Sequence, residues 1–394
     1  MKNIKQKMRI LEGSNAISEV VKNIGIDVVS AYPITPQTHI VEDLAKAKAD
    51  GEASFSYLKA ESEFAAASIV LGAAATGART YSATSSQGLL LMIEVLFNAA
   101  GMRLPLVITC ANRAVSAPIN IWNDQQDVMT IRDSGWILLF AENHQEAVDQ
   151  HIMAYKLAES LKLPVMVNVD GFILTHSYEA VYIPETKLIK KYLPKYKPTP
   201  GEFLDPKNPM TLGAFATPND YMEIREELHE DMNAAIKTIK QEFTLYNKII
   251  NNDNKINPNN NGLFEYSGPK NPQIILVAMG SVVGTIKEVI NNSKDKNKIG
   301  ILKIKTYRPF PAADLADIIK KLKVKKIAVL EKAISLGAHG PLFTDLRAAL
   351  FGQYSGVVKN YIIGLGGRDV SQKIVKVIIK DLTSTNKKEI KFIK

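Results

Sequence analysis

Short apolar runs alternate along the chain with longer stretches in which apolar residues recur every three or four positions. VVSAY (28–32), SFSYL (54–58), RTYSAT (79–84), PLVITCAN (105–112), WILLF (136–140) and PVMVNVD (164–170) read as strands. Most segments between them carry helical periodicity and helix-start signals. Asn143, with Glu146 three positions on, has the form of a cap ahead of EAVDQHIMAYKLAESL. Strand and helix in alternation predict an α/β fold, a mainly parallel sheet with helices on both faces. The apolar stretch GLLLMIEVLFNAAGM (88–102) is too short to cross a bilayer and contains Glu94, so it reads as buried helix.

After Asp170 the pattern lapses into a proline-containing, loop-rich stretch from Thr175 to Pro218. A long helix follows, for which Thr217-Pro218-Asn219-Asp220 supplies a cap and a first-turn proline. Its apolar face, Ile224, Leu228, Met232, Ile236, Ile239, Phe243 and Tyr246, docks it along the first domain. NNDNKINPNNNG (251–262) is the clearest linker. A second block then presents the strands QIILVAM (273–279), KIGILKIK (298–305), KKIAVLE (325–331) and NYIIGL (360–365), with helices between them. The expected organisation is a first domain over 1–250, a linker over 251–268 and a second domain over 269–394.

Composition narrows the function. Hydrophobic residues make up 46% of the 394 positions and charged residues 23%, ordinary for packed domains. The single cysteine, Cys110, lies in an apolar run and cannot alone hold a disulfide, a cluster or a structural zinc. No export signal is visible at the start, which points to a cytoplasmic protein. The net charge of +9 comes largely from late lysines, among them KLKVKK (321–326) and the tail KKEIKFIK. These are not interleaved with aromatic residues, so a solvated surface explains them better than nucleic acid does.

Common catalytic signatures are absent. No phosphate loop occurs, and Thr84-Ser85-Ser86-Gln87-Gly88 lacks the first glycine of a hydrolase elbow. Gly364-Leu365-Gly366-Gly367 misplaces the third glycine of a dinucleotide fingerprint and reads as a turn with special backbone angles. The six histidines show no metal-ligand spacing, and no metal site is expected in the chain.

Three constellations remain. Tyr32-Pro33-Ile34-Thr35-Pro36 stands at the carboxyl end of the first strand, where open α/β sheets bind ligands. Thr35-Pro36 equally has the form of a helix cap. Glu61-Ser62-Glu63 opens an alanine-rich helix, where one carboxylate beside an apolar wall suits acid–base chemistry. Sequence leaves open which glutamate points inward. Asn112-Arg113 ends an apolar strand, and such an arginine can clamp a carboxylate or form a surface salt bridge. Downstream, Asn123, Asp124 and Asp127 serve either loop structure or a subunit contact.

YPITP, the SE dipeptide before the alanine-rich helix, ATSSQGLLLM (83–92), NRAVSAP (112–118), IWNDQQD (121–127) and VDGF (169–172) together resemble the α subunit of the multi-subunit pyruvate:ferredoxin oxidoreductases. VAMGS (277–281) and IKTYRPFP (304–311) resemble the domain that follows in that subunit. The resemblance implies a pyrimidine-binding domain followed by a transketolase C-terminal-like domain. It implies oxidative decarboxylation of pyruvate with coenzyme A to acetyl-CoA, with electrons passed to ferredoxin. Thiamine diphosphate is then shared with a β subunit holding its diphosphate and Mg²⁺, and [4Fe-4S] clusters lie in partners such as the γ and δ (ferredoxin-like) chains. Neither nucleic acid nor a membrane is involved. Carried over by motif, Glu63 hydrogen-bonds the aminopyrimidine, while Arg113 and Thr35 hold the oxo acid. Ser86, Gln87 and Gly88 lie near the cofactor. Val169-Asp170-Gly171 lacks the leading glycine and following asparagine of a diphosphate–Mg²⁺ motif, in keeping with a half-site. The alternatives are an α subunit for branched-chain 2-oxo acids such as 2-oxoisovalerate, or for another 2-oxo acid, and a non-catalytic scaffold subunit.

Overall fold

Six predicted strands of the first block assemble side by side in one sheet. The computed structural model of the chain describes residues 8–251, 259–384 and 388–394. In sheet order the strands are Thr306–Arg308, Ile137–Phe140, Val165–Asp170, Val107–Asn112, Thr80–Thr84, Val28–Ala31 and Ser56–Lys59. All pair in parallel except Thr306–Arg308. The central strands are buried along their whole length, as parallel strands covered by helices on both faces must be. The second sheet runs Ile390–Phe392, Val357–Ile362, Lys326–Glu331, Ile274–Ala278, Ile299–Ile304 and Phe264–Ser267. There only Phe264–Ser267 is antiparallel.

Several local expectations shift. Of the stretch taken as linker, 252–258 lies outside the described residues, and its end forms the edge strand Phe264–Ser267 of the second sheet. Thr306–Arg308 crosses back to extend the first sheet, so the two blocks share structure beyond a simple tether. The loop-rich stretch contains a strand, Tyr178–Tyr182, paired antiparallel with Met8–Glu12, and a helix, Thr186–Tyr192. Only Val181 of that strand is buried, so its sequence carries little apolar pattern. The long helix spans Tyr221–Ile249 and starts later than the predicted cap. Thr217 spends its hydroxyl on the Asp220 carboxylate, 2.6 Å away, within a turn that precedes the helix. Asn143 caps as expected, accepting from the backbone N–H of Glu146 at 2.9 Å.

Two buried polar clusters join the blocks. In one, the Lys303 ammonium lies 2.7 Å from Glu142 and 2.9 Å from Glu265, and Lys305 lies 2.9 Å from Glu146. Burial opposes ionisation of Glu146, but the two lysines outweigh it and hold its carboxyl near 2. The other cluster centres on Asp170. It receives hydrogen bonds from Lys332 Nζ (2.9 Å), Gln125 Nε2 (3.0 Å) and the Ser281 backbone N–H (2.9 Å). Gly280 lets this approach happen, since a Cβ there would sit 2.7 Å from Gln125 Nε2 and 2.9 Å from Asp170 Oδ2.

Within the block of the second sheet, Glu331 accepts from the backbone N–H groups of Leu342 (2.9 Å) and Phe343 (3.2 Å), at the start of the helix Pro341–Leu350. Burial nevertheless pushes its carboxyl up to about 8. Between the ordinary value of 4.5 and about 8 the folded chain holds a proton that the unfolded chain has lost. This group's contribution to stability therefore falls as pH rises through that window and levels off above it. His151, buried and lowered to about 4, acts in the opposite sense only below 6.5. Glu331→Gln, which mimics the protonated acid, is expected to make the fall in thermal midpoint between pH 6.5 and 8 shallower. An unchanged slope in calorimetric scans would contradict this.

Candidate active site

Four neighbouring strands of the first sheet bring every predicted site residue to one edge. Thr35 follows Val28–Ala31, Glu63 follows Ser56–Lys59, Ser86-Gln87-Gly88 follows Thr80–Thr84, and Arg113 follows Val107–Asn112. These are carboxyl ends of parallel strands, where the loops leave room for a ligand.

Ser62 caps the helix Glu63–Ala75, its hydroxyl accepting from the Ala65 N–H at 3.1 Å. The cap fixes the first turn so that Glu61 faces solvent and Glu63 points inward, only 7% exposed. The Glu63 carboxylate rests against Gly88, where a Cβ would come within 2.6 Å of Oε1. That niche is the reason for a glycine at 88. Among the described residues Glu63 has no hydrogen-bond or ion-pair partner. The Thr84 hydroxyl, which faces the same Gly88 position, is buried without a partner as well. Glu63 as a residue is largely buried, yet its carboxylate oxygens keep access to solvent, so a bound group can meet them.

Asp127 ties the neighbouring loops together. Its carboxylate accepts from the backbone N–H groups of Ser86 (3.0 Å), Arg113 (3.0 Å) and Val128 (2.8 Å) and from Asn112 Nδ2 (3.1 Å). Burial raises its carboxyl above the usual range in spite of these donors. Ser86 takes a left-handed backbone at φ 49°, and its hydroxyl donates to the Ala114 carbonyl, while Gln87 donates to Ser116. The SQG turn and the Arg113 loop are thus one rigid unit.

Arg113 is not a surface salt bridge. It is 6% exposed, and among the described residues it forms no ion pair. Nε donates to the Asn120 carbonyl (3.0 Å) and Nη1 to the Thr35 carbonyl (2.9 Å), while Nη2 has no protein partner among the described residues. Burial lowers its pKa, with Asp127 opposing. The Thr35 side chain is exposed. Thr35-Pro36 does not cap a helix, because the helix Thr38–Ala49 begins after a turn closed by the Gln37 N–H on the Ile34 carbonyl (2.9 Å).

Asn123 and Asp124 make contacts within the chain. Lys332 donates to Asn123 Oδ1 at 2.7 Å, and Asp124 accepts from the Gly366 N–H at 3.1 Å. Burial lifts Asp124 to about 7. Gly364, Gly366 and Gly367 all adopt positive φ, as the glycine-rich turn predicted. A Cβ on Gly367 would lie 2.3 Å from that of Trp122. Asp127, read from sequence as serving loop structure or a subunit contact, serves the loops. Thr84 is the residue near Glu63 that sequence reasoning missed, since nothing in local pattern marks a hydroxyl that lacks a partner. The Asp170 carboxylate is taken up by Lys332, Ser281 and Gln125. Cys110 is fully buried, and burial pushes its thiol well above its ordinary value. Among the described residues no helix is long and apolar enough to cross a membrane.

Comparison with known proteins adds to this geometry. Residues 19–244 match the family described as pyruvate flavodoxin/ferredoxin oxidoreductase, thiamine diP-bdg, and 273–375 match pyruvate:ferredoxin oxidoreductase core domain II. The chain is 47% identical to pyruvate synthase subunit PorA of Methanocaldococcus jannaschii, over 95% of this chain and 94% of that protein. It is 45% identical to PorA of Methanosarcina barkeri, over 95% and 92%. Ketoisovalerate oxidoreductase subunit VorA of Pyrococcus horikoshii is 39% identical over 95% and 93%. Among solved structures, the 2-oxoglutarate:ferredoxin oxidoreductase from Magnetococcus marinus shares the fold with a TM-score of 0.70 at 21% identity, over 96% of this chain and 66% of that one.

Proposed function

The chain belongs to the pyruvate flavodoxin/ferredoxin oxidoreductase family, and from that premise we infer that it is the α subunit of a pyruvate:ferredoxin oxidoreductase. The reaction is the oxidative decarboxylation of pyruvate with coenzyme A to acetyl-CoA and CO₂, with electrons leaving to ferredoxin. The observation that carries the mechanistic part is Glu63, a largely buried residue whose carboxylate has no partner among the described residues.

Thiamine diphosphate, when bound, supplies the nucleophilic carbon and accepts the electron pair released on decarboxylation. Glu63 fits its aminopyrimidine, because the carboxyl is shielded, held in one direction by the Gly88 niche, and free to share a proton with a ring nitrogen. Arg113 orients the pyruvate carboxylate through the donors that the Asn120 and Thr35 carbonyls leave over. Decarboxylation discharges that carboxylate as neutral CO₂, so the arginine serves the reaction by positioning more than by tight grip. The exposed Thr35 hydroxyl reaches the carbonyl oxygen. Ser86, Gln87 and Gly88 form the wall behind the pyrimidine, kept rigid by Asp127.

The site is half of one. Phe64, beside Glu63, and Leu91 and Phe97 on the adjoining helices are exposed apolar side chains, the kind of surface another chain covers. A β subunit there holds the diphosphate and Mg²⁺. With its one cysteine buried, this chain has no thiolate to offer a cluster, so the [4Fe-4S] clusters sit in the ferredoxin-like partners. The unpartnered glutamate speaks against a scaffold that has lost its site. VorA lies close behind PorA in identity, which makes 2-oxoisovalerate the second substrate to assay.

Arg113→Ala is expected to raise KM for pyruvate in the purified complex by about ten- to a hundredfold, the range for a lost charge-assisted pair, with a smaller change in kcat. Steady-state rates with pyruvate, 2-oxoisovalerate and 2-oxoglutarate test both points. A variant with unchanged KM and only a lower thermal midpoint would reduce Arg113 to loop support. A kcat/KM favouring 2-oxoisovalerate would overturn the assignment of pyruvate.

A further inference from the structure

Away from the carboxylate and arginine just described, the fold gathers three ligand-type side chains that lie far apart in sequence. Glu12 ends the strand Met8–Glu12, His39 sits in the first turn of the helix Thr38–Ala49, and His176 lies in the turn between Asp170 and the strand Tyr178–Tyr182. One carboxylate oxygen and one nitrogen from each imidazole all lie within 4.8 Å of one another. Glu12 Oε1 and His39 Nδ1 are 2.7 Å apart, and the two imidazole centroids are 4.7 Å apart.

The set is also oriented. Thr175 Oγ1, which accepts from the Phe172 N–H at 2.8 Å, stands 2.7 Å from His176 Nδ1. With Nδ1 engaged by Thr175, Nε2 is the nitrogen left to bind an ion. A hydrogen bond to the distal ring nitrogen is how metal-ligating histidines are held in one tautomer. Phe172 also packs against the His176 ring, with centroids 4.8 Å apart.

Two imidazoles and a carboxylate form the donor set that zinc and its neighbours take, with a coordination position left for water. We propose that Glu12, His39 and His176 form a mononuclear site for a divalent transition ion of the zinc class. Bonds of about 2.0–2.2 Å place ligand atoms roughly 3.3 Å apart in a tetrahedral arrangement, so ligand atoms now within 4.8 Å of one another close by at most about 1.5 Å on binding. His39, with 47% of its side chain exposed, is free to make that rotation. The ion fastens the N-terminal strand to the helix that follows Thr35 and to the turn that follows Asp170. It therefore stiffens the loop carrying Thr35 without touching the cofactor half-site.

The test is a Co²⁺ titration of the untagged full-length chain, read by visible ligand-field absorption and by thermal midpoint. The expected result is saturable binding of one ion per chain, displacement by Zn²⁺, and a midpoint that rises with either ion. Loss of an outer partner commonly costs 10- to 100-fold in affinity, so His39→Gln and His176→Gln, which remove ligands, should each weaken binding by at least about 100-fold. His339→Gln, at the half-buried histidine 3.3 Å from Glu389, should leave binding unchanged. Should His176→Gln lower the metal-free midpoint, the exposed His39→Gln decides the matter. Absence of saturable Co²⁺ binding, or binding that survives His39→Gln undiminished, overturns the proposal.

Discussion

Glu63→Gln in the assembled complex is expected to lower kcat by about 10²- to 10⁴-fold, the usual worth of a positioned proton-transfer group. Glutamine has the same shape as the protonated acid, so it should occupy the niche against Gly88 and leave folding and assembly intact. What it cannot do is give and retrieve a proton. The loss should therefore appear in kcat, with KM for pyruvate little changed. Gly88→Ala reaches the same carboxyl from the other side, because the new Cβ would fall 2.6 Å from Oε1 and 2.8 Å from the Thr84 hydroxyl. It should reproduce most of the kcat loss without altering any titratable group. Normal turnover in Glu63→Gln would remove the glutamate from the chemistry. A silent Gly88→Ala beside an inactive Glu63→Gln would instead show that the niche does not position it.

Lys332→Met is expected to destabilise the chain by about 3–5 kcal/mol, the range for stripping one partner from a buried ion pair. Lys332 is 3% exposed and Asp170 1%. Burial alone would raise the Asp170 carboxyl, but Lys332, Ser281 and Gln125 together hold it below the usual range. Without the ammonium, the aspartate is left charged between the two sheets' blocks, and Asn123 loses its 2.7 Å donor. Asp170→Asn should recover part of the loss when combined with Lys332→Met, so the pair of changes costs less than the sum of the two. Urea denaturation of the four proteins measures this directly. Additive effects would mean that the two side chains do not couple between the two blocks.

The fold was largely legible because its signal is local. The central parallel strands are buried on both faces, so VITCAN and VMVNVD appear as short runs rich in apolar residues. Tyr178–Tyr182 escaped because it lies on the surface and pairs with a strand near the other end of the domain. The helix starts at Thr38 and Tyr221 were misjudged for a related reason. Threonine and proline favour turns as well as caps, and tertiary contacts decided between them. Glu63 and Arg113 were visible as residue types at strand ends, but their burial was not. For Asp127 sequence left loop structure and a subunit contact open, and the role of Asp170 was hidden, since a carboxylate that collects hydrogen bonds from several segments leaves no periodic trace. The same holds for Glu12, His39 and His176, which only the folded chain brings within 4.8 Å.

The central claim is that this polypeptide contributes one wall of a thiamine site and relies on another polypeptide for the rest. Isothermal titration with thiamine diphosphate and Mg²⁺ tests it most directly, comparing the isolated full-length chain with the purified complex. The account predicts saturable binding by the complex and no measurable heat from the chain alone. Stoichiometric binding by the isolated chain would contradict it.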